Sequence, residues 1–257
     1  MDFIFGHANH ILLGLLIFLG GFIDSMAGGG GLITLPAYLH FGLPVDRLLG
    51  TNKLSSGLGT AVATFKFLKE LDFKKEFLLP LIALAASGSF LGAKSISLAS
   101  PSLIRYLLII TLPPIALFVI AKRRFGRADH SGDLSASALL RRCLPIAFLI
   151  SFYDGMLGPG TGTFYAVALT RFCGYNLVKA TALSKLLNLT SSVSALITFL
   201  ALGLVDIRLG LAMGTVGMCG NYLGSHIALK KGAWIIRPML FIVSISLLIK
   251  IVWDMVK

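Results

Sequence analysis

Charge is scarce in this chain. Charged side chains are 13% of its 257 residues, and only eleven are acidic; a soluble domain usually carries about 25%. A fold with an all-round wetted, charged surface is excluded. Cysteine is almost missing. Cys143, Cys173 and Cys219 form no CxxC and no ligand spacing with histidine, so no metal, cofactor or disulfide framework is expected. They read as small packing residues. No His-Glu-x-x-His and no phosphate-binding P-loop occur, which argues against a zinc protease and against ATP hydrolysis by this chain. A basic leader is missing as well: the first basic residue is Arg47, and no cleavable signal is expected.

What is present is apolar length. The chain is 56% hydrophobic. Apolar segments run at about 10–42, 51–68, 77–98, 103–121, 143–173, 181–203, 207–229 and 235–253, several reaching the roughly 18–20 residues that span a bilayer. The expectation is an all-α polytopic protein of the inner (plasma) membrane, with the lipid bilayer as its surroundings. A net charge of +12 would suggest nucleic acid in a soluble protein. Here Lys and Arg cluster in short loops, as in cytoplasmic loops of membrane proteins, and no nucleic-acid partner is expected. The polar stretch "KRRFGRADHSGDLSASALLRR", 122–142, divides the chain into 1–121 and 143–257.

The two parts repeat, with about four apolar segments each. Asp24 lies 130 residues before Asp154, in "FIDSMAGGG" and "FYDGMLGPG". Lys53 lies 132 before Lys185, Gly88 and Gly92 lie 132 before Gly220 and Gly224, and Arg105 lies 132 before Arg237. A duplicated membrane unit is the usual plan of secondary transporters. The Gly-xxx-Gly pairs read as places where helices approach closely in lipid.

The first segment of each repeat is broken by glycines. Segment 10–42 is too long for one straight span and contains Gly28, Gly29, Gly30 and Gly31; segment 143–173 contains "GPGTG", from Gly158 to Gly162. Non-helical backbone at membrane depth survives only inside protein or beside water. A half-helix starting after such a break offers free N–H groups to an anion. Asp24 and Asp154 precede the breaks by four residues. Each reads as a helix-end cap, a proton carrier, a partner for lysine or a ligand for a coupling cation. Lys53 and Lys185 read either as snorkelling side chains or as fixed positive charge for an anion, with Asn52, Ser184 and Asn188 adding hydrogen bonds.

Topology follows from basic residues. If all eight segments cross, the loops divide them 13 against 7; if the two broken segments re-enter, the division is 15 against 5. The positive-inside rule favours re-entry. Re-entry makes the halves inverted repeats, with 122–142 in the cytoplasm and both termini outside.

Together, "GFIDSMAGGGGLITLPAYLHFGLP", "LLGTNKLSSG", "SFLGAKSI", "DGMLGPGTGTFYAVAL" and "ALSKLLNLTSSVSALITF" resemble the TauE/SafE family of membrane transporters. The resemblance covers nearly the whole chain. It implies a carrier of small anions, with sulfite, sulfoacetate and other organosulfonates as the substrate class. It puts Asp24, Gly28, Gly30, Thr51, Asn52 and Lys53 in one signature, and Asp154, Gly158, Gly160, Gly162, Ser184, Lys185 and Asn188 in a second. Gly29, Gly31 and Thr161 complete the candidate binding set. "GPGTG" departs from the first half's "GGGG", so the halves are not expected to bind symmetrically. The reading is a secondary transporter of a small anion, with proton coupling through an aspartate and a dimer as one candidate assembly. The alternatives are an anion channel and an intramembrane enzyme. A rhomboid-type serine protease would need a serine at the break and an embedded histidine; the breaks carry Thr161 and Thr163, and His226 sits near a segment end beside Lys230 and Lys231.

Overall fold

The computed structural model describes residues 2–70, 73–100, 102–104, 106–107 and 128–231. Segment 235–253, most of segment 103–121, residues 122–127 of the linker, and the Arg105 and Arg237 pair lie outside the described residues. Among the described residues there are helices and no strands. In chain order they are α1 (Asp2–Ala27), α2 (Gly31–His40), α3 (Val45–Glu70) and α4 (Lys75–Ser97). A 3-10 turn, Ser131–Asp133, precedes α5 (Ala136–Met156), α6 (Thr161–Cys173), α7 (Leu177–Ala201) and α8 (Ile207–Lys231).

Helices α4, α5 and α7 are each long and apolar enough to cross a bilayer. Large apolar side chains such as Leu79, Phe90, Leu149 and Ile197 point outward, while Thr51, Lys53, Ser55, Asp154 and Lys185 are buried. This inside-out distribution suits lipid surroundings, where polar groups gather in the protein interior.

Both glycine-broken segments fold back on themselves. Gly28 and Gly29 have φ of 71° and 103°, and Gly158 and Gly160 have 91° and 79°, a region L side chains rarely occupy. The reversal lets α2 return along α1: Gly20 packs against Thr34, and Gly30 against the carbonyl of Gly20. Helix α6 returns along α5 in the same way, with Ser151 and Tyr165 hydroxyls 2.6 Å apart and the Cys143 and Cys173 sulfurs 3.3 Å apart.

Each hairpin is held by the other half. Gly220 and Gly224 of α8 lie against the carbonyls of Phe18 and Phe22 on α1. Gly88 and Gly92 of α4 lie against the carbonyls of Phe148 and Phe152 on α5. Helices in both pairs run parallel. The Gly-xxx-Gly motifs therefore set backbone on backbone, as expected for small residues in lipid. Helices α3 and α7 cross antiparallel: Gly50 packs near Phe199, Gly57 near Ser192, and the Thr64 hydroxyl donates to the Lys185 carbonyl at 3.0 Å.

Basic residues collect at one end. There Phe73 packs on Tyr175, the His130 amide donates to the Gly174 carbonyl at 2.8 Å, and Lys179 meets Asp129 at 2.6 Å. The helix directions bring Lys66, Lys69, Lys74, Lys75, Arg141, Arg142, Arg171, Lys179, Lys230 and Lys231 to this end; Arg47, Lys94 and Arg208 lie toward the other.

Candidate functional site

The two hairpin tips meet inside the bundle. Gly28 lies against the backbone of Gly162, close enough that no side chain would fit, and Gly31 lies over Pro159. Thr163 donates its hydroxyl to the Gly28 carbonyl at 3.2 Å, and Ser184 of α7 donates to the Gly162 carbonyl at 2.9 Å. Thr161 closes its own turn on the Gly158 carbonyl at 2.8 Å. The N-termini of α2 and α6 begin at this junction.

Two buried ion pairs flank it, and each joins one half to the other. Lys53 Nζ of α3 is 2.6 Å from Asp154 Oδ2 of α5. Lys185 Nζ of α7 is 2.9 Å from Asp24 Oδ2 of α1 and also donates to the Asp24 carbonyl. Lys53 and Lys185 are 4% and 0% exposed, so neither side chain snorkels to an interface. The Lys53 ammonium sits above Gly158, where a Cβ would lie 3.1 Å from Nζ. Desolvating four charges is costly, and each pair persists because its partner and extra hydrogen bonds offset that cost.

The two carboxylates have different surroundings. Asp24 Oδ1 caps the turn by accepting from the Gly30 amide at 3.1 Å, so it is both a cap and a lysine partner. Asp154 Oδ2 accepts from the Ser191 hydroxyl at 2.5 Å. The Asp24 side chain is 14% exposed and that of Asp154 is 2% exposed. Beside Asp24 lies a cavity of about 20 Å³, bordered also by Thr34, Ser55, Ser56 and Asn221.

Most of the residues singled out from sequence converge here. Gly28, Gly29, Gly30 and Gly31 form one tip, and Gly158, Gly160, Thr161 and Gly162 the other. Asn52 lies one layer out, its Oδ1 accepting from Thr34 at 2.6 Å. Asn188 offers its carbonyl to Ser191 at 3.0 Å. Thr51 lies elsewhere: its hydroxyl accepts from the Asp206 amide at 2.9 Å, in the turn between α7 and α8.

Sequence reasoning missed Ser191, Thr34, Ser55 and Asn221. Ser191 had a signal. Ser184, Asn188 and Ser191 follow i, i+4, i+7 spacing, which makes a polar stripe on one face of a helix. Asn221 had one too: a buried amide between Gly220 and Gly224, in a position matching Ser89 of the first half.

The profile of a family described as "Sulfite exporter TauE/SafE" matches residues 13–251. A "Probable membrane transporter protein ORF9" from Sinorhizobium is 39% identical over 249 residues, covering 96% of this chain and 94% of that protein. "Probable membrane transporter protein YfcA" of Escherichia coli is 37% identical, with coverage of 95% and 91%. A "Probable membrane transporter protein" of Haemophilus influenzae is 35% identical, with 92% of each chain covered. No solved structure matches this chain.

Proposed function

We propose, for a chain that belongs to the Sulfite exporter TauE/SafE family of membrane transporters, a secondary transporter of a small oxyanion in the inner membrane. Sulfite and organosulfonates such as sulfoacetate are the substrate class. The observation that carries this reading is the pair of buried, cross-half Lys–Asp bridges beside two meeting backbone breaks.

The chemistry runs by exchange of partners. A bare lysine or aspartate here would be an uncompensated buried charge, costing about 3–5 kcal/mol. A lysine therefore releases its carboxylate only when another anion takes the place. The substrate oxyanion accepts from Lys185 or Lys53 and from amides at the starts of α2 and α6, which suit negative charge. The released carboxylate then needs a cation, a proton in the simplest case. Bridges across the two halves make this exchange sensitive to how the halves sit, as alternating access requires.

The antiparallel crossing of α3 and α7 and the return of α2 and α6 along α1 and α5 support inverted repeats with re-entrant tips. The basic end, by the positive-inside rule, is the cytoplasmic one.

The test is flux in proteoliposomes. Sulfite, sulfate, thiosulfate, sulfoacetate, isethionate, taurine and small carboxylates are screened for saturable, pH-driven uptake and exchange. Lys185→Ala is expected to weaken binding of the transported anion at least tenfold, and Lys75→Ala, at the basic surface, to leave it unchanged. Equal affinity in Lys185→Ala and the parent rejects the site. Non-saturating flux at rates beyond a carrier supports an anion channel instead.

A further inference from the structure

Asn221 of α8 is 2% exposed. Its amide nitrogen donates to the Gly217 carbonyl at 3.1 Å, which orients the side chain, and its Oδ1 has no hydrogen-bond partner. Buried acceptors without a donor are rare and call for an occupant. Asn221 borders the cavity of about 20 Å³ beside Asp24, and that volume holds one water-sized guest.

The cavity wall offers acceptors. Thr34 has committed its hydroxyl hydrogen to Asn52 Oδ1 at 2.6 Å. Ser55 and Ser56 have committed theirs to the Asn52 carbonyl at 3.2 Å and 2.6 Å. One asparagine thus draws three donors away. Gly31, at the start of α2, also borders the cavity, and one amide hydrogen of Asn221 stays uncommitted. The unpaired Oδ1, the hydroxyl lone pairs and the Asp24 carboxylate outnumber these donors and favour a guest that donates or carries positive charge.

The equivalent place in the other half is closed. Shifted by 132 residues, Asn221 corresponds to Ser89 and Gly59 to Ser191. Ser89 donates to the Ser191 carbonyl at 2.6 Å, and Ser191 donates to Asp154 at 2.5 Å. Asp154 is sealed by serine where Asp24 faces a cavity.

We propose that this cavity binds one compact monovalent cation, Na⁺ or a proton carried on water, which replaces Lys185 on Asp24 when the substrate anion takes Lys185. The inference rests on the transporter reading and deepens it. Two ions enter and one internal bridge opens, so net charge at the centre changes only by the sum of the two guests. Asp24 is the exchanging acid, and Asp154 with Lys53 is the fixed bridge. Access comes from the end away from the basic loops. There His10, Leu13, Tyr38 and His40 border a cavity of about 440 Å³, and the Tyr38 hydroxyl donates to Ser55 at 2.7 Å. The ionisable groups around Asp24 are few. Lys185 on α7 touches it, Lys53 on α3 is held by Asp154 on α5, Tyr38 on α2 lies beyond Ser55, and Tyr165 on α6 is bonded to Ser151. His226 on α8 is exposed on the outer face of its helix.

The test needs no substrate. Thermal unfolding of the purified full chain is measured in NaCl and in choline chloride at equal ionic strength. Infrared difference spectra between acid and alkaline buffer follow the protonated-carboxyl band. A Na⁺ site raises the midpoint by a few degrees in NaCl only, and Asn221→Ser removes that rise. A proton site shows no Na⁺ effect, but a carboxyl band that Asp24→Asn removes and Asn221→Ser shifts in pH. Asn221→Ser copies the residue of the other half, so it tests the site even where Asp24→Asn fails to fold. No Na⁺ effect together with a band unchanged by Asn221→Ser overturns the proposal and leaves a structural water. A parent that passes this test yet moves no anion overturns the transporter reading instead.

Discussion

The bridge between Lys53 and Asp154 offers a sharp test because its members are sealed. Their side chains are 5% and 2% exposed, with 2.6 Å between Nζ and Oδ2. Removing one member leaves the other as an unpaired buried charge. That costs about 3–5 kcal/mol, whereas replacing both by apolar groups of similar volume is often close to neutral. Lys53→Met and Asp154→Leu alone should each destabilise by about that amount. The double variant should cost well under the sum, because no orphaned charge remains. Ser191 loses this acceptor in the double variant but has the Asn188 carbonyl at 3.0 Å to turn to, so its hydroxyl is not left unsatisfied and the residual penalty is small. The coupling energy expected is thus several kcal/mol, read from reversible unfolding in mixed detergent by a double-mutant cycle. The same cycle on Lys185 and Asp24 should give a smaller value, since Asp24 borders a cavity and keeps the Gly30 amide. Additivity within about 0.5 kcal/mol at Lys53 and Asp154 would refute the reasoning outright.

Three further outcomes are expected. Gly155→Ala should destabilise by about 1–3 kcal/mol, since its new methyl meets the Ser89 carbonyl, while Gly14→Ala, with nothing within 4 Å, should stabilise α1 by up to about 1 kcal/mol; paired melting curves check both. With reporters fused at Lys257, alkaline phosphatase should be active and green fluorescent protein dark; the reverse pattern would mean that the broken segments cross. Asp129 faces burial, which pushes its carboxyl up, but hydrogen bonds from Lys179 and Ser131 outweigh it and hold the carboxyl below the usual range. Its contribution is present above the ordinary carboxylate pKa and is lost as pH falls through the lowered value. Asp129→Asn should therefore lower stability slightly at neutral pH, by under about 1 kcal/mol for so exposed a pair, and leave it unchanged in strong acid.

Much of the centre was legible in the sequence because glycine, aspartate and lysine are conspicuous inside apolar runs. Gly28 to Gly31 and Gly158 to Gly162 mark where the helices break, and the shift of about 130 residues marks Asp24 with Asp154 and Lys53 with Lys185 as counterparts. The partners were not legible. Repeat logic says that Lys53 and Lys185 are equivalent, but not that each reaches the aspartate of the other half. That choice depends on α8 packing along α1 and α4 along α5, a three-dimensional consequence of glycine faces that meet backbone to backbone. Thr51 sits two residues from Lys53, yet a helix turns about 100° per residue, and Thr51 faces the α7–α8 turn instead. Asn221 was visible as a polar residue beside Gly220, but what sets it apart is an amide oxygen without a hydrogen-bond partner, and no sequence shows that.

Because α8 embraces the first hairpin and α4 the second, neither half owns a complete core. A ribosome emits α1 and α2 long before α8 exists, so the first hairpin waits, its glycine face uncovered, until nearly all of the chain has been made. Contacts this distant in sequence form late and slowly. Two separately expressed halves should accordingly rebuild the protein only when made together, each supplying the clasp the other lacks.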